Sequence, residues 1–413
     1  MRRSLGLLTV ALLVAGCGGS SNPSSTTSTS NPTSPTTPST GSGSGTSTTA
    51  AATYVYVSNA PSSTTFQVNA YTVGSNGALT AVSGSPFPTS GQSALYLAAT
   101  GSTLFGSDGY TIYSYAVASN GSIKQENSLV SGEEQNGQVV GGPLELFFDP
   151  PHANLYSFYN AGPGTTDYGA YSFNPSNGQL ATINLAGGSA ENTPMLAFSA
   201  NDQYAYTADA YHGSPAITEF SRASNGALTQ VNQDLSFTSP TAPAATGFLP
   251  YGAASDGSNH IIVAMGQETG DDFTPNGPWQ LAVYTPGSDG TLTTTSTYQN
   301  MTTINVGENV NWYSFSPDDK YFAVAGTAGL QVFSYNSASQ TFTAIGAPQD
   351  TGNNFWTLSW DANDHLYAIA IQSNSLYAYT VSATAVTAVP GSPYSIQNPQ
   401  SVTTLSQSSG SGS

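Results

Sequence analysis

Seven copies of a tyrosine-rich alternating segment limit what this chain can fold into. The first copy reads YVYVSN at 54–59, and a second segment, VNAYTV, follows it after a loop. Alternation with a period of two predicts β-strands rather than helices. The phrase LTAVSGSPF at 79–87 returns as VTAVPGSPY at 386–394, an offset of 307 residues. Six steps of about 51 residues explain this offset, so the two phrases are predicted to be the outer strands of the first and last units.

Each unit is predicted to contain four short strands, with a tight hairpin between the third and the fourth. The turn reads SNG at 75, 119, 176 and 224 and SDG at 288, and these residues tolerate the positive φ of such hairpins. Four strands in about 51 residues match one propeller blade. We therefore predict an all-β fold, a seven-bladed β-propeller of four-stranded antiparallel blades. Two separate sandwiches would require a linker near the middle of the chain, and none is visible.

The ends of the predicted propeller, 53–407, are expected to pair with each other. The first unit begins at its second strand, at Tyr54, and the chain ends with an unpaired first-strand segment, PQSVTTLSQ at 399–407. We expect Ser401 to Leu405 to lie beside the strand that contains Val55, which would protect two strand edges. Residues 408–413 are expected to be a flexible tail. Seven innermost strands are predicted near Leu95, Leu146, Leu196, Ala253, Ser314, Leu358 and Val402.

The N-terminal segment MRRSLGLLTVALLVAGC, at 1–17, has the pattern of a secretory signal. Two arginines precede an apolar run and then small residues. Val14-Ala15-Gly16-Cys17 resembles the bacterial lipobox, which implies lipidation of Cys17 and attachment to a membrane. Gly18 replaces the aspartate that retains such lipoproteins in the inner membrane, so the outer membrane or the cell surface is expected. Residues 18–52 are almost wholly Ser, Thr, Pro and Gly and are predicted to be a disordered tether.

The charge of the chain excludes several classes of ligand. There are 5 basic and 23 acidic residues, and Arg2 and Arg3 belong to the predicted signal. Only Lys124, Arg222 and Lys320 remain for the exported domain. This balance argues against nucleic acid and anionic lipid headgroups, and against phosphorylated substrates, which require clusters of Arg or Lys. Cys17 is the only cysteine, so the domain has no disulfide, thiolate metal site or cysteine nucleophile.

The repeat resembles that of the lactonase-like seven-bladed propellers, which include 6-phosphogluconolactonases, carboxymuconate cyclases and YVTN-type surface repeats. The resemblance rests on SPDDKYFAVAG, LQVFSYN and GALTAVSGSPF. Enzymes of that family have a Gly-Pro-Arg-His run at the entrance to an inner strand, and an Asn-Glu pair after the next strand. Here the matching runs are Gly142-Pro143-Leu144-Glu145 and Tyr159-Asn160-Ala161. The residues that would pair with phosphate and act as a base are therefore missing from the best-matching positions.

Glu145 and Glu308 are candidate catalytic residues. Both lie at entrances to inner strands and could face one another across the channel as a general acid and base. An ion or water site in the channel is an equally compatible interpretation.

Four residues are candidates for ligand binding. Tyr251, Trp312 and Trp356 are placed at the mouth of three successive blades, where aromatic faces can stack on sugars or flat ligands. Filling the wedges between blades is the alternative role for such residues. His212 is the one histidine on a long loop that opens on the same face.

No metal or cofactor is expected. The four histidines form no zinc pattern. Residues 266–278, GQETGDDFTPNGP, offer three carboxylates that could bind calcium, but solvated acids are the alternative and the spacing matches no EF-hand. The aspartates at tight turns are expected to bond the backbone. They are Asp149, Asp202, Asp256, Asp289, Asp318, Asp319, Asp361 and Asp364.

Two functional hypotheses follow from the sequence. In the first, the protein is a membrane-tethered, monomeric propeller that binds a protein or carbohydrate partner without catalysis. In the second, it is a lactone hydrolase or cycloisomerase with a diverged site in the channel.

Overall fold

Seven four-stranded antiparallel sheets account for the repeats of the chain. The computed structural model describes residues 52–135, 138–149, 151–159, 166–187, 193–209, 216–234, 239–243, 247–269 and 275–407. The predicted signal, Cys17, the tether and the tail at 408–413 lie outside these residues. The described part of the chain contains no helix that could span a membrane.

The strands follow one another in chain order, blade by blade. The first blade contains β1 (Ala52–Ser62), β2 (Thr65–Val73), β3 (Leu79–Ala81) and β4 (Phe87–Pro88). The second contains β5 (Tyr96–Thr100), β6 (Thr103–Ser107), β7 (Thr111–Val117) and β8 (Ile123–Val130), and a separate hairpin follows it, β9 (Glu133–Gln135) and β10 (Gln138–Gly141). The third contains β11 (Pro143–Phe148), β12 (Asn154–Tyr159), β13 (Thr166–Phe173) and β14 (Leu180–Gly187). The fourth contains β15 (Ala197–Phe198), β16 (Tyr204–Asp209), β17 (Ala216–Arg222) and β18 (Leu228–Asp234).

The remaining strands complete the ring. The fifth blade contains β19 (Gly247–Ser255), β20 (Ile261–Glu268), β21 (Trp279–Pro286), β22 (Leu292–Thr294) and β23 (Thr302–Ile304). The sixth contains β24 (Val310–Phe315), β25 (Tyr321–Gly326), β26 (Gly329–Asn336) and β27 (Thr341–Ala344). The seventh contains β28 (Phe355–Trp360), β29 (His365–Ala370), β30 (Ser375–Val381), β31 (Val386–Ala388) and β32 (Tyr394–Ser395). The last strand is β33 (Pro399–Gln407).

The predicted seven-bladed β-propeller is confirmed. The four main strands of each sheet follow the chain from the innermost strand outward, except in the first blade, where β33 is innermost and pairs with β1. The short strands β4, β23 and β32 pair with the third strand of blades one, five and seven, beside the fourth strand. The innermost strands are β33, β5, β11, β15, β19, β24 and β28. Five of the seven predicted inner positions lie within them, and Leu95 and Leu196 lie one residue before β5 and β15.

Pairing between the two ends of the domain closes the ring. Strand β33 is antiparallel to β1, with Val55 opposite Thr404 and Val57 opposite Val402. Val55, Val57 and Val402 are buried in one cluster with residues of the seventh blade. The predicted closure is therefore confirmed, and it removes the exposed edge that β1 would otherwise present.

The two faces of the ring differ in their connections. Hairpins between first and second strands, as at 149–154, and between third and fourth strands, as at 174–179, open on one side, called the hairpin face. Longer connections, as at 345–354, open on the other side, called the loop face. The glycines of the five predicted SNG and SDG turns all have positive φ, between 66° and 95°.

Tyrosines of the second strands join neighbouring blades to one another. The hydroxyl of Tyr206 in the fourth blade donates to the carbonyl of Gly290, the turn glycine of the fifth blade, at 2.7 Å. Tyr56 and Tyr156 donate in the same way to turn glycines of the next blade. The recurrence of tyrosine in these second strands is explained by a buried hydrogen bond between blades, whereas glycine recurs in the turn because of its positive φ and the close approach of the neighbouring blade.

Candidate functional site

A cavity of about 610 Å³ occupies the centre of the ring and is lined by residues of all seven blades. Blades one and seven contribute mainly hydroxyl side chains, such as Thr357 and Thr403. Blades two to four contribute mainly apolar ones, such as Leu97 and Phe148. The channel therefore has one hydroxyl wall and one apolar wall, which suits a ligand that has both kinds of surface.

Among the described residues, Glu145 is one of four carboxyl groups that line this channel, together with Asp149, Asp256 and Asp319. It lies in β11 at a bulge, because the pairing with β12 shifts between Pro143 and Leu146. Bulges of this kind redirect side chains next to functional sites. Glu145 is half-buried and lines the cavity, and no described residue donates a hydrogen bond to its carboxyl group.

Burial raises the pKa of Glu145 to about 8. The carboxyl group is therefore mostly protonated at neutral pH and acts as an uncharged hydrogen-bond donor. Burial and then the neighbouring Glu145 charge raise the pKa of Tyr96, in β5, to about 12. Tyr96 was not among the residues singled out from the sequence, since its surroundings there predicted only an inner strand.

Trp312 and Thr357 lie at the height of Glu145 on the opposite side of the ring. In each of these inner strands the hairpin that follows is closed by a side chain that accepts a backbone hydrogen bond, namely Asp149, Ser316 or Asp361. Glu145, Trp312 and Thr357 each lie four residues before that side chain. All three line the cavity. Blade three and blades six and seven are separated by half of the ring, so a ligand at this height has the Glu145 carboxyl on one side and an indole and a hydroxyl on the other.

The structure does not bring Glu308 into the channel. Its side chain is exposed and is not part of the cavity lining. Its backbone carbonyl accepts a hydrogen bond of 2.7 Å from Trp279 Nε1. The two glutamates therefore do not form the facing pair that the sequence suggested.

The three aromatic candidates have different surroundings. Tyr251 packs edge-on against Trp279, with ring centres 6.2 Å apart, at the core between blades five and six. Trp312 contacts the cores on both sides of its blade, so it fills a wedge as well as lining the channel. Trp356 is 43% exposed. His212 lies outside the described residues.

Six of the eight turn aspartates accept hydrogen bonds from the backbone, as expected; they are Asp149, Asp256, Asp289, Asp318, Asp319 and Asp361. Asp202 instead pairs with Arg222, and no described backbone amide donates to the side chain of Asp364. Asp149 Oδ1 accepts hydrogen bonds from the amides of Ala153 and Asn154, and Asp361 Oδ1 accepts from those of Asn363 and His365. The cavity reaches the hairpin face beside Asp149, Asp256 and Asp319. The sequence did not indicate that these turns border the channel.

Every lysine and arginine between residues 52 and 407 is paired with a carboxylate. Arg222 is buried and bonds both Asp149 and Asp202. Lys124 pairs with Glu126 at 3.3 Å, and Lys320 pairs with Asp318 at 2.5 Å. No lysine or arginine is among the described residues that line the channel.

No group of three or more metal-ligating side chains is found among the described residues. The loop at 266–278 is described only in part, since residues 270–274 lie outside the described ranges. Calcium binding by this loop therefore stays a hypothesis from the sequence.

No protein-family model and no curated protein matches the chain. Solved structures do resemble it. One is a proposed 6-phosphogluconolactonase of Bacteroides uniformis, with a TM-score of 0.62 and 14% identity, covering 86% of this chain and 100% of its own. The chain has the fold of a lactonase-like propeller.

Two further structures support this conclusion. A proposed 6-phosphogluconolactonase of Bacteroides fragilis matches with a TM-score of 0.59 and 12% identity, over 87% of this chain and 99% of its own. The periplasmic gluconolactonase PpgL of Pseudomonas aeruginosa matches with a TM-score of 0.59 and 12% identity, over 86% of this chain and 99% of its own. The fold predicted from the repeats is thus shared with these propellers, while activity is a separate matter.

Proposed function

We propose that this protein is a lipid-anchored, extracytoplasmic propeller that binds an uncharged ligand without transforming it. The observation that carries the proposal is the pairing of all three basic side chains of the domain with carboxylates. Recognition of phosphate or carboxylate groups normally uses Arg or Lys. A phosphorylated lactone in the channel would meet no lysine or arginine among the described lining residues.

The channel supports binding better than catalysis. Hydrolysis of a lactone requires an activated nucleophile and a group that stabilises the developing oxyanion. Burial raises the pKa of Glu145 to about 8, so only a minor fraction of this group is ionised and available as a base at neutral pH, and Glu308 lies elsewhere. The carboxylates of Asp149 and Asp256, at the hairpin face, are held by Arg222 and His260.

A protonated Glu145 is suited to hold an uncharged ligand. Its hydroxyl hydrogen can be donated to a carbonyl, ether or hydroxyl oxygen, and the apolar wall can cover the carbon skeleton. Anchoring through Cys17 and the 18–52 tether would hold this channel at the outer membrane or cell surface, accessible to a carbohydrate or protein partner.

A binding and turnover comparison tests the proposal. The purified protein is titrated with neutral sugar lactones and with their phosphorylated counterparts, and both binding and ring opening are followed. We expect binding of neutral compounds, none of phosphorylated ones, and no ring opening above the background rate. Ring opening by the wild type that Glu145→Gln abolishes would refute the non-catalytic role.

A lactone hydrolase or cycloisomerase is the second candidate. It is favoured by one observation, a half-buried carboxyl group in the channel whose pKa of about 8 suits a general acid. The names of the similar structures point the same way. If this candidate is correct, Glu145→Gln lowers kcat by about 100-fold or more with little change in KM. Glu308→Gln, outside the channel, serves as the matched control and leaves both constants unchanged.

A further inference from the structure

Three consecutive blades place a bulged residue at the loop-face mouth of the channel. Pairing of the inner strand shifts by one residue at Asn311 in blade six, at Trp356 in blade seven and at Gln400 in blade one. Strands β24 and β28, and β28 and β33, are neighbours around the channel. These three residues are called the mouth arc, an indole with an amide on each side.

Trp356 presents its indole to solvent. Its neighbours in the strand, Phe355 and Thr357, are 0% and 5% exposed, whereas Trp356 is 43% exposed. No aromatic ring of a described residue stacks on it. An accessible indole at the rim of a channel offers a flat apolar face on which a ligand ring can lie.

The hydrogen-bonding groups beside the indole are fixed in position. Asn311 Nδ2 donates to Asn354 Oδ1 and to the carbonyl of Phe355, each at 2.7 Å. Because a backbone carbonyl only accepts, the orientation of the Asn311 amide is determined, and that of Asn354 follows. Asn311 Oδ1 and Asn354 Nδ2 have no partner among the described residues. One acceptor and one donor are therefore held ready close to Trp356.

The chemistry of the mouth arc fits sugar hydroxyls. A hydroxyl group both donates and accepts, so it can satisfy an amide oxygen and an amide nitrogen at once. A cationic ligand would leave the Asn354 donor unused. An anionic glycan would meet a chain with a net charge of −18 and a mouth arc that contains no lysine or arginine.

We propose that the mouth arc binds an uncharged carbohydrate, with one sugar ring stacked on Trp356 and its hydroxyls bonded to Asn311, Asn354 and Gln400. This inference rests on the proposed binding function and names a partner class for the loop face. The site is separate from the Glu145 height of the channel, since Trp356 is not part of the cavity lining.

Titration with defined oligosaccharides tests the inference. Cellotetraose, chitotetraose and, as the anionic comparison, tetragalacturonate are added to the full-length protein, and binding is followed by calorimetry and tryptophan fluorescence. We expect at least one neutral oligosaccharide to bind and the anionic one not to bind. Trp356→Ala should weaken binding by roughly tenfold, and Trp356→Phe by less. Val231→Ala, at a 56% exposed apolar residue of the outer strand β18, is the matched control and should bind like the wild type.

The outcomes separate the mouth arc from the channel. Equal affinity of the wild type and Trp356→Ala, with loss of binding in Glu145→Gln, would place the sugar in the channel and overturn the inference while the proposed function stands. If the wild type binds neither neutral oligosaccharide, the mouth-arc inference is also overturned. The proposed function is then tested by the lactone titrations only. Weaker binding in Asn311→Ala, with an unchanged melting temperature, would support the inference.

Discussion

Glu145 is a residue whose role depends on its environment more than on its type. In the sequence, the resemblance to the lactonase-like propellers aligns it with a histidine of their Gly-Pro-Arg-His run. In the structure a bulge places it in the channel, where burial raises its pKa to about 8. The same carboxyl group on an exposed turn would be an ordinary anion at neutral pH.

The raised pKa of the Glu145 carboxyl group should make the free energy of unfolding depend on pH. A carboxyl whose pKa is raised in the folded state stabilises the fold fully below its ordinary value of about 4.5, and the stability declines as the pH rises toward about 8. Each pKa unit corresponds to about 1.4 kcal/mol. Since the channel admits water, we expect Glu145→Gln to gain roughly 2 kcal/mol over the wild type at alkaline pH.

Urea unfolding of both proteins across this pH range measures the effect. The gain of the variant should grow from mildly acidic to mildly alkaline pH. Glu308→Gln, which removes an exposed carboxyl outside the channel, should follow the wild-type curve. Parallel curves for wild type and Glu145→Gln would show that the carboxyl is solvated when the protein is folded.

The hydroxyl of Tyr206 provides a second test at the residue scale. Tyr206→Phe removes the buried hydrogen bond to the Gly290 carbonyl and leaves that carbonyl unsatisfied, so we expect a loss of about 1–2 kcal/mol in the free energy of unfolding. Tyr204→Phe, on the same strand, is the control, because no described residue bonds its hydroxyl. Equal losses in both variants would contradict a role for the bond between blades.

At the scale of elements, the alternating strands and glycine turns were predictable, but the bulges were not. Period-two patterns predict strands wherever one face packs on a neighbouring blade. A bulge adds one residue to the inner strand without changing the pattern of residue types, as at Trp356 and Asn311. For this reason the sequence suggested the aromatic and acidic candidates but did not reveal which of them share the mouth or the channel.

Removal of β33 should open the ring. A chain that ends after Asn398 leaves the inner edge of β1 unpaired and exposes Val55 and Val57, which are buried in the intact protein. We expect loss of the cooperative thermal transition and formation of aggregates, because both strand edges and apolar faces become accessible. Circular dichroism and size-exclusion chromatography measure these effects.

A second truncation controls for shortening of the chain. A chain that ends after Gln407 lacks only 408–413 and should unfold like the full-length protein. A cooperative, monomeric product of the shorter truncation would show that the propeller does not depend on closure by its last strand.

At the scale of the whole molecule, the acidic balance has a consequence for stability. The chain has a net charge of −18, and each basic side chain of the domain is already paired. The remaining carboxylates repel one another, and this repulsion is screened by salt with a Debye length of about 10 Å at 0.1 M. We expect the melting temperature to rise by a few degrees with sodium chloride and then to level off.

Comparison of salts distinguishes screening from specific binding. Sodium and potassium chloride should act alike, since screening depends on ionic strength. A melting temperature that is independent of both salts would contradict the repulsion. An increase at low concentrations of calcium alone would instead indicate a cation site, for which the 266–278 loop is the sequence candidate.

The sequence by itself determined the all-β class, the number of blades and the closure of the ring. Each of these follows from local patterns, namely strand periodicity, turn glycines and the missing first strand, that repeat along the chain. The tertiary structure alone decided the separation of Glu145 from Glu308, the exposure of Trp356 and the pairing of Arg222 with Asp149 and Asp202. The reason is that register shifts of a single residue, and contacts between strands far apart in sequence, set where a side chain lies, and neither leaves a trace in residue type or spacing.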